Sequence, residues 1–363
     1  MRVKNYFFLF VVIILSIIVL NVKITSAKSY NWKLVSVWPA GLKNIIAADY
    51  KFAETVESMS NGELKIKVFA AGELCKPTEV LNMVSSGTVE MGVDWPNYWS
   101  GKDTAFDLLG SNSVTFSAED YLIWDYQHGG IDLAQTLYGE YGCIWFPHYM
   151  SHMESGIRSN KPINSINDLK GMKIRLGGLL PGEILKELGA TPMTISVAEL
   201  YEALRRGVLD GAEFSTPSND QDFHFDEITK YWCTPGWHQT SSQHGVLVNK
   251  KSWDSLPEHL KNIIKNAAMA THMWSYTKLA YDDAKATEFF KSKGINVTKL
   301  SDEDLTKIEN IKNKLQVKHS EANPMYKKIL RSQIDYLNGI ADYREAIVPF
   351  SFGRNPKNLP QIQ

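Results

Sequence analysis

Residues 158–239 open as Arg158-Ser-Asn-Lys-Pro-Ile163 and pass through Asp168-Leu-Lys-Gly-Met-Lys-Ile-Arg175 into Gly189-Ala-Thr-Pro. They continue as Ala203-Leu-Arg-Arg-Gly-Val-Leu-Asp210-Gly-Ala-Glu213-Phe and close on Pro235-Gly-Trp-His-Gln239. Lys173 to Leu176 reads as a short strand, Glu183 to Leu188 as a helix stopped by Gly189, and Val197 to Arg206 as a second helix closed by Gly207. Strands alternating with helices imply an α/β domain with a parallel or mixed sheet. Ligands of such sheets bind beyond the carboxyl ends of the strands, and Arg175 and Glu213 both fall where a strand should end.

Working outward, Asn31 to Trp38 is expected as a first strand, followed by a helix from Lys43 to Met59 and a Ser60-Asn-Gly turn into a strand from Leu64 to Phe69. Pro77 to Ser86 reads as a helix, Val89 to Val93 as a strand, and Glu119 to Tyr141 as a helix broken near Gly129-Gly130. This half forms one α/β lobe. The chain crosses to a second lobe between His148 and Gly156 and returns between Trp237 and Gln243 into Gly245-Val-Leu-Val-Asn249. Two crossings are what a hinged, two-lobed binding fold requires. Glu258 to Lys291 carries apolar residues at Leu260, Ile263, Ile264, Ala267, Ala268, Thr271 and Trp274, the stripe of one unusually long helix spanning both lobes. Lobe I is expected to hold residues 28–150 and 241–285, lobe II 151–240 and 286–345, with a polar, proline-interrupted tail at 346–363.

At the front, Arg2 and Lys4 precede an apolar run from Tyr6 to Leu20 and a small-residue cleavage site at Thr25-Ser-Ala27, the pattern of an export signal over residues 1–27. The run is too short to span a bilayer comfortably, so the mature chain is expected to be exported to the periplasm. The remaining 336 or so residues exceed a single hydrophobic core. A formal charge of −1 without a basic block argues against nucleic acid as a partner. Cys75, Cys143 and Cys233 lack a pairing motif and read as isolated thiols. Gly177-Gly178-Leu-Leu-Pro-Gly182 is neither a dinucleotide fingerprint nor a P-loop, and no Gly-x-Ser-x-Gly elbow is present. His148 and His152 lack the Glu of a His-Glu-x-x-His site.

Ser60-Asn-Gly-Glu-Leu-Lys-Ile-Lys-Val, Gly72-Glu-Leu, Val84-Ser-Ser-Gly87-Thr-Val-Glu-Met, the stretch from Asp168 to Arg175, Leu209-Asp-Gly-Ala and Trp253-Asp-Ser-Leu-Pro together resemble the periplasmic solute-binding subunit of tripartite ATP-independent periplasmic (TRAP) transporters, the DctP family. Glu213-Phe, Pro235-Gly-Trp-His and Gly129-Gly130 further resemble the subgroup that binds 2-oxo and 2-hydroxy carboxylates through a metal ion. The resemblance implies a two-lobed periplasmic binding fold, a small organic acid as ligand and a TRAP membrane permease as partner. The oligomeric state stays open, a homodimer included.

Arg175 closes a hydrophobic strand, where its planar fork can hold a carboxylate through paired hydrogen bonds. The resemblance implies a ligand role for it. Arg158 matches an arginine of many relatives, although the metal-using subgroup tends to carry an aromatic there, so ligand contact and an ion pair both stand. For the cation, calcium or sodium, the resemblance implies Glu154, Glu213 with the carbonyl of Phe214, and Gln239, all oxygen donors suited to a hard ion. Amide and acid have traded places at Glu154 and Gln239 relative to that subgroup. Trp38, Trp95, Tyr98 and Trp237 are expected around the ligand as a water-excluding wall. An exported metal-dependent hydrolase and a ligand sensor feeding a receptor are the alternative functions.

Overall fold

The computed structural model describes residues 29–193, 195 and 197–348. The expected export signal and residues 349–363 of the expected tail lie outside the described residues. The first sheet has the order β2-β1-β3-β10-β4 and uses β1 (Tyr30–Ser36), β2 (Leu64–Phe69), β3 (Met91–Asp94), β4 (Cys143–Ser151) and β10 (Ser242–Asn249). Its strands β2, β1 and β3 are parallel, and β10 runs antiparallel between β3 and β4. The central strand β3 is buried along its whole length, as a strand covered on both faces must be.

The second sheet has the order β11-β9-β5-β8-β6-β7. Its strands are β5 (Ile157–Ser159), β6 (Lys173–Arg175), β7 (Thr191–Met193), β8 (Gly211–Ala212), β9 (Tyr231–Thr234) and β11 (Asn296–Lys299). Strands β7, β6 and β8 are parallel, while β5 is antiparallel to both β8 and β9. The chain therefore passes from the first sheet to the second between Ser151 and Ile157 and returns between Thr234 and Ser242.

Helix α1 (Lys43–Met59) covers the first sheet and ends in a turn where Asn61 and Gly62 take φ of 51° and 79° before β2, which is why Asn-Gly stands there. The short helix α2 (Asp107–Gly110) lies under the 3-10 turn Pro96–Trp99. In the second unit, α3 (Leu179–Glu187) links β6 to β7 and begins four residues before the expected start at Glu183. The expected long helix is α4 (Glu258–Ser292), 35 residues or roughly 50 Å of helix. Its buried stripe runs from Leu260 through Ala267, Thr271 and Leu279 to Ala286 and Phe290. Ser275 accepts a hydrogen bond from the Met150 amide of β4, and Asp283 accepts from the amide and hydroxyl of Ser218, so the helix is tied to both units.

Ser301 accepts from the Asp304 amide and starts α5 (Asp302–Ala322), whose His319 pairs with Glu183 of α3. Asn323 then caps, and Pro324 opens, a further helix, α6 (Pro324–Ile347). This corrects the placement of 324–345 in the second lobe. Gln333 donates to the Leu108 carbonyl, Tyr336 to Asp120, and Trp124 to Ser332, which packs α6 on the first unit. Pro324 stands at the first helical position, where its missing N–H is harmless and its φ is already helical. Cys75, Cys143 and Cys233 are all free, and burial pushes the thiols of the last two up to about 12.

Candidate functional site

The parallel pairing of β6 with β8 sets Arg175 opposite Ala212, so Glu213, one residue further along, lies beside the arginine. Arg175 Nη1 donates to the Glu213 carbonyl at 2.9 Å and to its Oε1 at 2.7 Å, and the Gly177 amide donates to the same oxygen. Gly177 is a close approach. A Cβ there would stand 3.4 Å from Glu213 Oε1 and from Cη2 of Trp95.

The two chain crossings knit three separated segments together. The Glu154 amide donates to the Gln239 carbonyl and the Ser155 amide to the Ser215 carbonyl. Gly236 admits this approach, since a Cβ on it would stand 2.1 Å from the Glu154 carbonyl oxygen. Glu154, Glu213 and Gln239 thereby share one wall of a narrow cleft, together with Arg175, Gly177, Phe214 and Ser215. The opposite wall comes from the first unit as Trp38, Ile45, Trp95, Tyr98, Ser242 and His244. Tyr98 packs edge-on to Trp95 and tilted to Trp38. Eight of the expected residues, Trp38, Trp95, Tyr98, Glu154, Arg175, Glu213, Phe214 and Gln239, thus meet in this cleft.

Two expected residues do not. Arg158 is 0 % exposed, with its Nε on Asp220 at 2.8 Å, an Nη on Ser155, and its guanidinium stacked at 4.1 Å and 4.0 Å against Trp232 and Phe290. Its guanidinium is taken up by Asp220, Ser155, Trp232 and Phe290, none of which lines the cleft. Trp237 is buried with the apolar core of the second unit. The tight turn in which Gln239 N–H donates to the Gly236 carbonyl directs Trp237 away while His238 and Gln239 face the acids.

Sequence reasoning missed His238 and His244. His238 Nε2 lies 3.1 Å from Glu154 Oε2 and 3.6 Å from Glu213 Oε2, and its ring is fully buried. Burial alone would lower its pKa, yet its hydrogen bond to Glu154 and the nearby charge of Glu213 raise it to about 9. Burial pushes Glu154 up to about 8, with Glu213 adding and His238 opposing. Burial also works against ionised Glu213, but Arg175, His238 and the Gly177 amide outweigh it and hold this acid down to about 2. His238 stood in the quoted Pro235-Gly-Trp-His, and only its side-chain direction was unreadable. His244 stacks on Tyr149 at 4.1 Å and lies tilted against Trp38 at 4.6 Å, and burial keeps it neutral. The period of two along β10, with Ser242 and His244 on one face, was the available signal.

The donor set fits a hard cation. Glu213 Oε2 and Gln239 Oε1 are buried and accept no hydrogen bond, although buried acceptors are ordinarily satisfied. Both belong to oxygen groups on the wall that also carries Glu154. Glu154, Glu213 and His238 form the cluster of possible metal-holding groups found among the described residues. With His238 Nε2 engaged to Glu154, the groups this wall leaves open include the oxygens of Glu213 and Gln239, which suit a hard ion.

A family profile described as bacterial extracellular solute-binding protein, family 7 (DctP), matches residues 34–323. The chain belongs to this family. Over 242 residues it is 34% identical to a monocarboxylate 2-oxoacid-binding periplasmic protein of Nostoc sp. (strain PCC 7120), a match spanning 67% of this chain and 66% of that protein. Its fold superposes with a TM-score of 0.83 on a TRAP periplasmic solute-binding protein of Colwellia psychrerythraea with bound calcium and pyruvate, at 30% identity over 88% of this chain and 97% of that one. One from Pseudoalteromonas atlantica with bound sodium and pyruvate gives 0.82, at 28% identity over 88% and 97%. The expected fold, family and solute-binding class are therefore borne out, and related proteins of this class hold calcium or sodium beside a carboxylate ligand. Among the described residues of this DctP-family chain no helix is long and apolar enough to cross a membrane.

Proposed function

We propose that this protein captures a small 2-oxo or 2-hydroxy monocarboxylate in the periplasm, with a calcium or sodium ion, and delivers it to a TRAP membrane permease. The observation that carries this reading is the pairing in one cleft of Arg175 with buried oxygens that accept no hydrogen bond on Glu213 and Gln239. The hydrogen bonds Arg175 makes among the described residues use Nη1 alone, so Nε and Nη2 of its fork are left for a ligand carboxylate. Glu154, Glu213, the Phe214 carbonyl and Gln239 would hold the ion, which supplies positive charge between the protein acids and the ligand's oxygens. The far wall of Trp38, Ile45 and Tyr98 offers no cation. A second carboxylate on the ligand would be desolvated there against neutral donors alone, without a cation to balance its charge, which favours monocarboxylates with a short apolar end over dicarboxylates.

Binding at this site needs both lobes, because the charged wall and the aromatic wall come from different sheets. A ligand that touches both walls stabilises the closed arrangement over any open one by its differential contacts. Isothermal titration of pyruvate into chelator-stripped protein, with and without added calcium, tests the reading. Binding that needs the ion and weakens with succinate supports it, and tight succinate binding or ion-independent binding overturns it. Mass spectrometry of the ligand recovered unaltered separates capture from the turnover a hydrolase would show.

A further inference from the structure

Helix α3 carries no N-terminal cap of its own. Its N-cap position is Gly178, at φ 89° and ψ 151°, with no side chain to accept from the first turn. The third helical residue is Pro181, which has no N–H, so the free donors of that turn are the amides of Leu179 and Leu180. Both donate to one carboxylate from the other lobe, Leu179 to Asp107 Oδ1 at 3.3 Å and Leu180 to Asp107 Oδ2 at 3.2 Å. Asp107 opens α2, which is anchored in the first unit by the Tyr121 hydroxyl and the Gln333 amide, both donating to the neighbouring Leu108 carbonyl. Asn97 aims the Asp107 carboxylate, donating to Oδ1 at 2.9 Å and to the Asp107 carbonyl at 3.1 Å.

We infer that Asp107 is an interlobe latch, a positioning residue that caps α3 only when the cleft is closed. The inference rests on the hinged solute-binding reading of the cleft. A helix N-terminus attracts a carboxylate through its free amides and its dipole. Opening the lobes removes the acceptor that α3 cannot replace from its own sequence. Gly177 and Gly178 link Arg175 to α3, and the Gly177 amide bonds Glu213, so the latch holds the segment that shapes the charged wall. Asp107 is 2 % exposed in the closed arrangement, and burial pushes its carboxyl up to about 6 against the opposing bonds from Leu180, Asn97 and Leu179. It is not among the cleft-lining residues, so it acts through α3 and not on the ligand.

The test uses pyruvate and calcium as probe with wild type, Asp107→Ala and Asp107→Asn. The expected result is pyruvate release about tenfold faster in Asp107→Ala, the scale of a lost helix cap, with a smaller change in Asp107→Asn, whose amide oxygen still accepts. Equal release rates in all three would overturn the latch. Amide exchange at Leu179 and Leu180 in the wild type keeps the proposal falsifiable should a variant fold poorly. Protection that falls when pyruvate and calcium are removed supports the latch, and protection that stays the same overturns it. If the wild type does not bind pyruvate, the ligand assignment fails. The latch is then decided by solution scattering of the ligand-free proteins, where expansion of Asp107→Ala supports it and superimposable profiles overturn it.

Discussion

Arg158 and Arg175 occupy strands of one sheet separated only by β8, and they do different work. Arg158 is 0 % exposed, clamped to Asp220 and sandwiched between Trp232 and Phe290, with no path to the cleft. Arg175 keeps its side chain 13% exposed at the end of its strand, paired to Glu213 through one nitrogen only. One guanidinium is consumed by the fold and the other is left partly unspent. Both stand in register with Ala212 of β8, so the difference lies in what each side chain meets: Asp220, Ser155, Trp232 and Phe290 take up Arg158, whereas Arg175 reaches the cleft beside Glu213.

The largest effect that would sharpen this contrast is on stability. Arg158→Ala leaves the Asp220 carboxylate buried without its cation, which typically costs about 3–5 kcal/mol. Chemical denaturation should show this loss, and Arg158→Met combined with Asp220→Asn should recover much of it. Full stability in Arg158→Ala would break the comparison. Next, Arg175→Lys should fold normally but lose about 2–5 kcal/mol of pyruvate affinity, since an ammonium cannot reproduce the paired donation of the fork. Calorimetry beside a melting curve checks both halves, and wild-type affinity would assign Arg175 a structural role like that of Arg158.

Removing the ion comes third. At a ligand concentration of about one hundred times the dissociation constant, pyruvate with calcium should stabilise the wild type by about 2.7 kcal/mol, and chelation should abolish that gain. A thermal shift that survives the chelator would detach the ion from the Arg175 side of the comparison. The same shift should persist in the Arg158→Met, Asp220→Asn double variant, whose cleft is intact.

The smallest effect concerns a carboxylate buried among neutral hydrogen-bond donors. Asp94 accepts from Trp99, Tyr138 and Trp145, and burial raises it to about 6 in spite of those bonds. Its folded pKa therefore lies above its unfolded one, the native state holds the extra proton, and the stability it contributes is lost as pH rises from about 4 through about 6. The slope from this group is at most about 1.4 kcal/mol per pH unit. Glu213, held down by Arg175, has the opposite sign, with stability lost only as pH falls through about 2. Urea titrations at several pH values with wild type and Asp94→Asn should show the slope between pH 4 and 6 flattened in the variant. An unchanged slope would mean Asp94 is not its source.

Most of the architecture was legible in the chain because it rests on local signals. Periodicity gave α1 and α4, Asn61-Gly62 gave the turn into β2, and Ser301 gave the start of α5, each a property of a few adjacent residues. Arg175 and Glu213 were readable for the same reason, as polar groups at the ends of apolar strands. What only the tertiary structure decided is direction and meeting. It turned Arg158 and Trp237 into the core, brought His238 between two acids from distant segments, and set Asp107 on a helix that lies some seventy residues further along the chain. It also carried α6 back to the first unit, because a stripe of Tyr326, Ile329, Gln333 and Tyr336 fixes which face is buried but not against which partner. A sequence records which groups need a partner; strand order, strand sense and lobe closure determine which partner arrives.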